Sequence, residues 1–110
     1  MADINRTPKP QLLFEENAAT FNKLVAQGKT PDLTGQNLSD LDLRAFHLTH
    51  ANLSGCYLRG ANLKGLDLSG ANLNGASIKN ASISGTLFPK GLSACEIQMS
   101  HDQGTRMRQG

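Results

Sequence analysis

Hydrophobic positions recur every five residues through the middle of the chain. Read in fives from Pro31, the sequence gives eleven consecutive pentads up to Gly85 without an insertion. A period of five fits neither an α-helix nor the simple alternation of a strand, and it predicts a repeat structure that turns at every pentad. The central residue of each pentad is Leu or Ile, and Phe88 keeps the phase in a degenerate twelfth pentad: Leu33, Leu38, Leu43, Leu48, Leu53, Leu58, Leu63, Leu68, Leu73, Ile78, Ile83 and Phe88.

The other positions of the pentad are biased as such a turn requires. Ala stands two residues before the centre in five pentads, Asp or Asn stands one before it in seven, and Gly ends seven. Asn, Asp and Gly tolerate the backbone geometry of turns. We therefore expect one large and one small side chain of each pentad to point inward. Stacking the coils at roughly 4.8 Å would then bury their apolar sides.

The A(N/D)LxG pattern, seen in ANLSG, ANLKG, ANLNG and LDLSG, resembles the pentapeptide-repeat family. The resemblance implies an all-β solenoid, a right-handed quadrilateral β-helix with four pentads to a coil and about three coils in all. The pentads FHLTH and CYLRG depart from the pattern, because they carry larger side chains where the family usually has Ala, Asn or Asp.

Helical segments are expected on both sides of the array, within one domain. Residues 1–30 would hold a tail and a capping helix from about Pro10 to Gln27, where apolar residues recur at three and four. Residues 31–90 would hold the repeats, and residues 91–110 a short helix and a flexible tail. Each helix is expected to cover one end of the array, because an open end exposes apolar side chains and unpaired backbone.

The C-terminal helix has a sequence signal of its own. Ser93 and Glu96 have the spacing of a capping box, which predicts a helix from about Ala94 to Gln103. Two arrangements stay open for this helix. It could cover the last coil of its own chain, or it could join two chains in a homodimer.

Composition narrows the function classes. The chain has 110 residues and a formal charge of +2, which suits one domain and does not demand an anionic partner. Its two cysteines, Cys56 and Cys95, make neither a disulfide framework nor a metal pair, and we expect no metal or other cofactor. The sequence contains no apolar run of membrane-spanning length and no signal-peptide stretch, so a cytoplasmic location is expected.

A candidate interaction surface follows from a coil of twenty residues. Arg44 would lie below Lys64, and Arg59 below Lys79, which makes a basic corner on two adjacent faces. Tyr57 would point outward and could anchor a contact. The alternative is that the charges form an ordinary solvated face and that the ring lies flat on its own coil.

The sequence favours a non-enzymatic protein–protein interaction or scaffold module with an unknown partner. It contains none of the common nucleotide-binding, metalloprotease or hydrolase motifs. The resemblance offers an alternative, since some family members mimic DNA and protect gyrase. The array disfavours it, with four acidic and four basic side chains and few coils. A second alternative is weak binding of an anionic partner at the basic corner; nucleic acid is disfavoured there because charge and aromatics are scarce.

Overall fold

The computed structural model describes Leu13 and residues 17–110. This part holds two helices, α1 (Ala18–Ala26) and α2 (Ala94–Gln103), and the pentads lie between them. Leu13 is helical as well and is buried. The rest of the expected N-terminal helix before Asn17 lies outside the described residues. The range of α2 is the one expected for the C-terminal helix.

The pentads are joined by single-residue bridges. Each of the seven parallel bridges in the described part links residues twenty apart, so the chain returns above itself every four pentads. Asp32 pairs with Asn52, for example, and Asn52 pairs in turn with Asn72. On most sides of a coil, N–H groups such as that of Leu53 donate to the next coil, here to the carbonyl of Asn72 at 2.8 Å.

The expectation of an all-β solenoid, a right-handed quadrilateral β-helix, is wrong as a fold class. The described residues contain no strand and no sheet, only two helices and the isolated bridges. The physical reason is the turn in every pentad. It limits each side to a single bridged residue, although neighbouring N–H groups also donate to the next coil, whereas a strand is a run of several extended, paired residues. The architecture is a stack of turns with a helix at either end of the array.

In the seven pentads that have Asp or Asn before the central residue, this side chain stabilises the turn of its own pentad. The Oδ1 of Asn52 accepts a hydrogen bond from the N–H of Ser54 at 3.1 Å, and Asn72 does the same for Asn74 at 3.0 Å. This Asx turn explains why these two residue types fill the position. The same bond recurs at Asp32, Asn37, Asp42, Asn62 and Asp67.

The last position of most pentads adopts left-handed backbone. Gly55 has φ 69°, and Asn80 adopts φ 57° in a pentad that lacks the glycine. Gly has no Cβ to clash in this region, and Asn tolerates it better than most residues. Six of the seven glycines that end a pentad have a positive φ, with Gly70 the exception, so the turn explains most of the periodic glycines.

The central residues fill the interior of the stack. From Leu33 to Ile78 each is at most 1% exposed. The last two, Ile83 and Phe88, are only partly buried, because they lie in the final coil. Small side chains alternate with this column, and Cys56 and Ala61 are fully buried. The predicted leucine column thus forms one continuous core.

At its N-terminal end the stack is closed by α1. Phe21 is fully buried and meets Phe46 edge to face, with 5.3 Å between ring centroids. The side chain of Asn22 supplies hydrogen bonds that a preceding coil would otherwise give to the first coil. Its Nδ2 donates to the carbonyl of Ala45 and its Oδ1 accepts from the N–H of His47, both at 2.8 Å. Backbone groups that would otherwise lack a partner are thereby satisfied.

At the C-terminal end, α2 supplies the partners that a fourth coil would give. The Oγ of Ser100, the buried polar residue of α2, accepts from the N–H of Ile78 at 3.0 Å. The carbonyl of His101 accepts from the N–H of Asn80 at 3.1 Å. These contacts place α2 on the last coil of its own chain.

The last residues of the chain continue this cover, although the sequence suggested a flexible tail. Met107 is fully buried; its carbonyl accepts from the N–H of Gly75 at 2.6 Å, and its N–H donates to the carbonyl of Ala76 at 2.9 Å. The Oε1 of Gln109 accepts from the N–H of Leu73 at 2.7 Å. The tail is held because the exposed backbone of the third coil offers it a row of hydrogen-bond partners.

The predicted capping box is half formed. The Oγ of Ser93 accepts from the N–H of Glu96 at 3.1 Å, as the motif requires. The carboxylate of Glu96 turns instead to Arg108, accepting from its N–H at 2.9 Å and from Nη2 at 2.8 Å. Gly104 then ends α2 in left-handed backbone with φ 77°. The glutamate therefore ties the tail to the start of α2.

We expect this tie to weaken in acid. Hydrogen bonds from the side chain and the N–H of Arg108 lower the pKa of Glu96. A carboxyl whose pKa is lower in the folded chain stabilises the fold above its unfolded pKa, and this contribution is lost as the pH falls through the folded pKa. Glu96→Gln should therefore lower the thermal midpoint at neutral pH and leave a smaller difference from the parent protein at a pH below the usual glutamate pKa. An unchanged difference between the two pH values would contradict this role.

Candidate functional site

Tyr57 is positioned by the repeat itself. It occupies the residue before the central Leu58, in a column where Asn37 lies one coil below and Ser77 one coil above. Because this position faces outward, the ring leaves the core and is 45% exposed. Tyr57 has no carboxamide with which to make the Asx turn, so it is free to present its ring on the surface.

Arg106 reaches Tyr57 from the C-terminal tail. After Gly104 ends α2, the chain turns back along the stack, and the Nη2 of Arg106 donates to the Oη of Tyr57 at 2.5 Å. Its guanidinium carbon lies 5.2 Å from the ring centroid, within the range of a cation–π contact. The interaction surface expected from the sequence did not include Arg106, because a contact across 49 positions leaves no mark in a five-residue pattern.

Arg59 and Lys79 are brought together as expected from the twenty-residue spacing. The N–H of Gly60 donates to the carbonyl of Lys79 at 2.9 Å, so the two side chains start from adjacent coils. The Nζ of Lys79 donates to the carbonyl of Asp102 at 2.6 Å, near the C-terminus of α2, where a cation is favourable. Within residues 17–110, the guanidinium of Arg59 makes no hydrogen bond or ion pair.

These side chains line a shallow groove of about 390 Å³, which we call the Tyr57 groove. It runs along the outward columns of all three coils and ends against the turn after α2. Three of its residues are cations and none of them is acidic, so the groove carries positive charge. Its lining is formed by Asn37, Ser39, Tyr57, Arg59, Ser77, Lys79, Gln103, Gly104 and Arg106.

The other two predicted surface residues lie outside the groove. Arg44 donates through Nε and Nη2 to the carboxylate of Asp42, at 2.9 and 2.8 Å. These hydrogen bonds lower the pKa of Asp42 to about 2 and raise the pKa of Arg44. Lys64 is exposed on the same side of the stack as Arg44. The predicted basic corner is thus divided, with a neutralised arginine on one side and the groove on the other.

The cysteines lie apart from the groove. Cys56 is fully buried and its Sγ donates to the carbonyl of Leu33 at 2.9 Å, while burial raises the pKa of the thiol. Cys95 is exposed on α2. Among the described residues, no group of three or more His, Cys, Asp or Glu side chains is arranged to hold a metal ion. Neither helix described is long and apolar enough to cross a membrane.

Five-residue turns stacked at a spacing of twenty, with helices over the ends, define a repeat protein. The family model "Pentapeptide repeats", with eight copies, matches residues 32–65 and 51–88, which together exceed half of the chain. The chain therefore belongs to the pentapeptide-repeat family. No curated protein matches the chain closely enough for comparison.

Proposed function

We propose that the protein is a non-enzymatic protein-binding module and that the Tyr57 groove is its contact surface. The observation that carries this proposal is the groove itself, in which an exposed ring, two arginines and a lysine line the surface of the second coil, the third coil and the C-terminal tail. Tyr and Arg are the residue types enriched in the energetically important parts of protein interfaces. The regular core and the two closed ends hold this surface rigid, which lowers the entropy lost on binding.

The module is tested by affinity capture of partners at near-native expression. Arg59→Ala removes an unpaired cation from the groove, whereas Lys64→Ala removes an exposed cation outside it. We expect at least one protein to be captured reproducibly by the parent chain and by Lys64→Ala, and to be lost with Arg59→Ala. Equal capture by all three chains, or the absence of any reproducible partner, would count against the proposed surface.

The other functions raised by the sequence are weaker. DNA mimicry needs an acidic surface, and the pentads from Pro31 to Gly85 carry equal numbers of acidic and basic side chains.

The homodimer joined through α2 stays a prediction. Since α2 covers the last coil of its own chain, only its outward side, where Met99 is 47% exposed, is left for such a contact. Light scattering of the full chain measures the oligomeric state directly.

A further inference from the structure

Building on the proposed function, we infer that the Tyr57 groove binds an acidic segment of its partner protein, with Arg59 as the principal contact. The first argument is the balance of charge. Three cations line the groove without a carboxylate among its lining residues. Elsewhere in the described chain, Arg44 and Arg108 are each paired with a carboxylate at 2.8 Å. The three cations of the groove therefore have no carboxylate partner among the residues that line it.

The three cations also differ in whether a hydrogen bond holds the charged group of the side chain. Lys79 is engaged by the carbonyl of Asp102, and Arg106 by the hydroxyl of Tyr57. Both partners are neutral, so the two cations keep their charge while their positions are fixed. Arg59 has no such contact and presents its whole guanidinium, which can bind a carboxylate through two parallel hydrogen bonds. A guanidinium that is free to bind, placed between two cations that are held by hydrogen bonds, suits a carboxylate better than a neutral side chain.

An extended segment with acidic residues at alternate positions fits the direction of the groove. The coils are roughly 4.8 Å apart, and alternate side chains of an extended chain are spaced at roughly 7 Å. The long side chain of Arg59, which no hydrogen bond holds, can adjust to this difference. The groove crosses three coils, so it can accept more than one carboxylate of the same segment.

Nucleic acid fits the groove less well. Binding of a single strand relies on bases that stack on open aromatic faces, and Arg106 already lies over the ring of Tyr57. Binding of duplex DNA draws on many phosphate contacts, and the whole chain has a formal charge of only +2. The observations therefore favour a protein partner with clustered carboxylates.

The inference is tested with labelled peptides and fluorescence anisotropy on the full chain. One peptide alternates Glu with Ser, the second has Gln in place of every Glu, and a single-stranded and a duplex DNA serve as other polyanions. We expect the Glu peptide to bind, the Gln peptide to bind at least about tenfold more weakly, and the affinity of the Glu peptide to fall as salt is raised. Tighter binding of either DNA than of the Glu peptide would overturn the choice of partner.

Two variants distinguish binding at the Tyr57 groove from attraction to positive charge elsewhere on the chain. Arg59→Ala should weaken binding of the Glu peptide about fivefold or more, and the matched Lys64→Ala should weaken it less than about twofold. Equal losses in the two variants would overturn the inference. If a captured partner depends on Arg59 but the Glu and Gln peptides bind equally, the proposed protein-binding function is supported and the inference of an acidic segment is overturned. If the Glu peptide binds but no partner is captured, the preference for an acidic segment is supported and the proposed protein-binding function is not.

Discussion

Leu63→Ala is expected to lower the free energy of unfolding by about 2–5 kcal/mol. Leu63 is fully buried in the middle coil, where turns above and below it fix the surrounding backbone. Because that backbone is held by hydrogen bonds to both neighbouring coils, it can collapse only partly around the lost side chain, and the remaining cavity adds to the cost. Urea denaturation followed by circular dichroism measures the change.

Leu87→Ala is the matched control for this substitution. Leu87 also lies in the array, but it occupies an outward position and is 58% exposed. We expect a change within about 0.5 kcal/mol, as for most surface substitutions. If the two substitutions cost the same free energy, the buried leucine column would not be the main source of stability.

The second large effect is expected at the N-terminal end, where Phe21→Ala should cost about 3–5 kcal/mol. Phe21 is fully buried and its ring meets that of Phe46, so its removal takes away the fully buried apolar side chain of α1. The N–H of His47, which donates to Asn22 of α1, should then exchange its hydrogen faster with solvent. Amide exchange by NMR and thermal unfolding follow the two effects separately.

Two further variants make this prediction specific. Phe88→Ala removes the same side chain from a partly buried site in the last coil, and we expect a smaller loss. In a double-mutant cycle, Phe21→Ala and Phe46→Ala should be coupled by about 0.5–1.5 kcal/mol, the usual range for an edge-to-face aromatic pair. Additive losses, together with unchanged exchange at His47, would show that α1 is held by other contacts.

The core could be predicted from the sequence because the pentad repeats without interruption. A strict period assigns every residue a side of the coil, so the inward column from Leu33 to Ile78 follows from counting alone. The class of secondary structure could not be obtained in this way. Pairing between coils depends on how many consecutive residues stay extended between bends, and the periodic pattern does not encode that number.

Part of the groove could be predicted from the sequence, because the twenty-residue spacing shows which side chains are neighbours on adjacent coils. Counting by twenties placed Arg59 beside Lys79, and the structure agrees on their adjacency. The same counting placed Arg44 in the basic surface but overlooked Asp42, two residues earlier on the same side, which neutralises it. That pair was visible in the sequence. The position of Arg106 was not, because it depends on the path of the tail over the third coil.

The spacing of twenty residues between paired positions makes the length of the molecule adjustable in whole steps. A duplicated segment of that length, inserted between the first two coils, would leave the contacts of Asn22 at one end and of Met107 at the other unchanged, because Asn22 contacts only the first coil and Met107 only the last. The groove would grow by one rung at the same time. Size and binding reach are thereby linked, and both can change by gene duplication without redesign of either terminus.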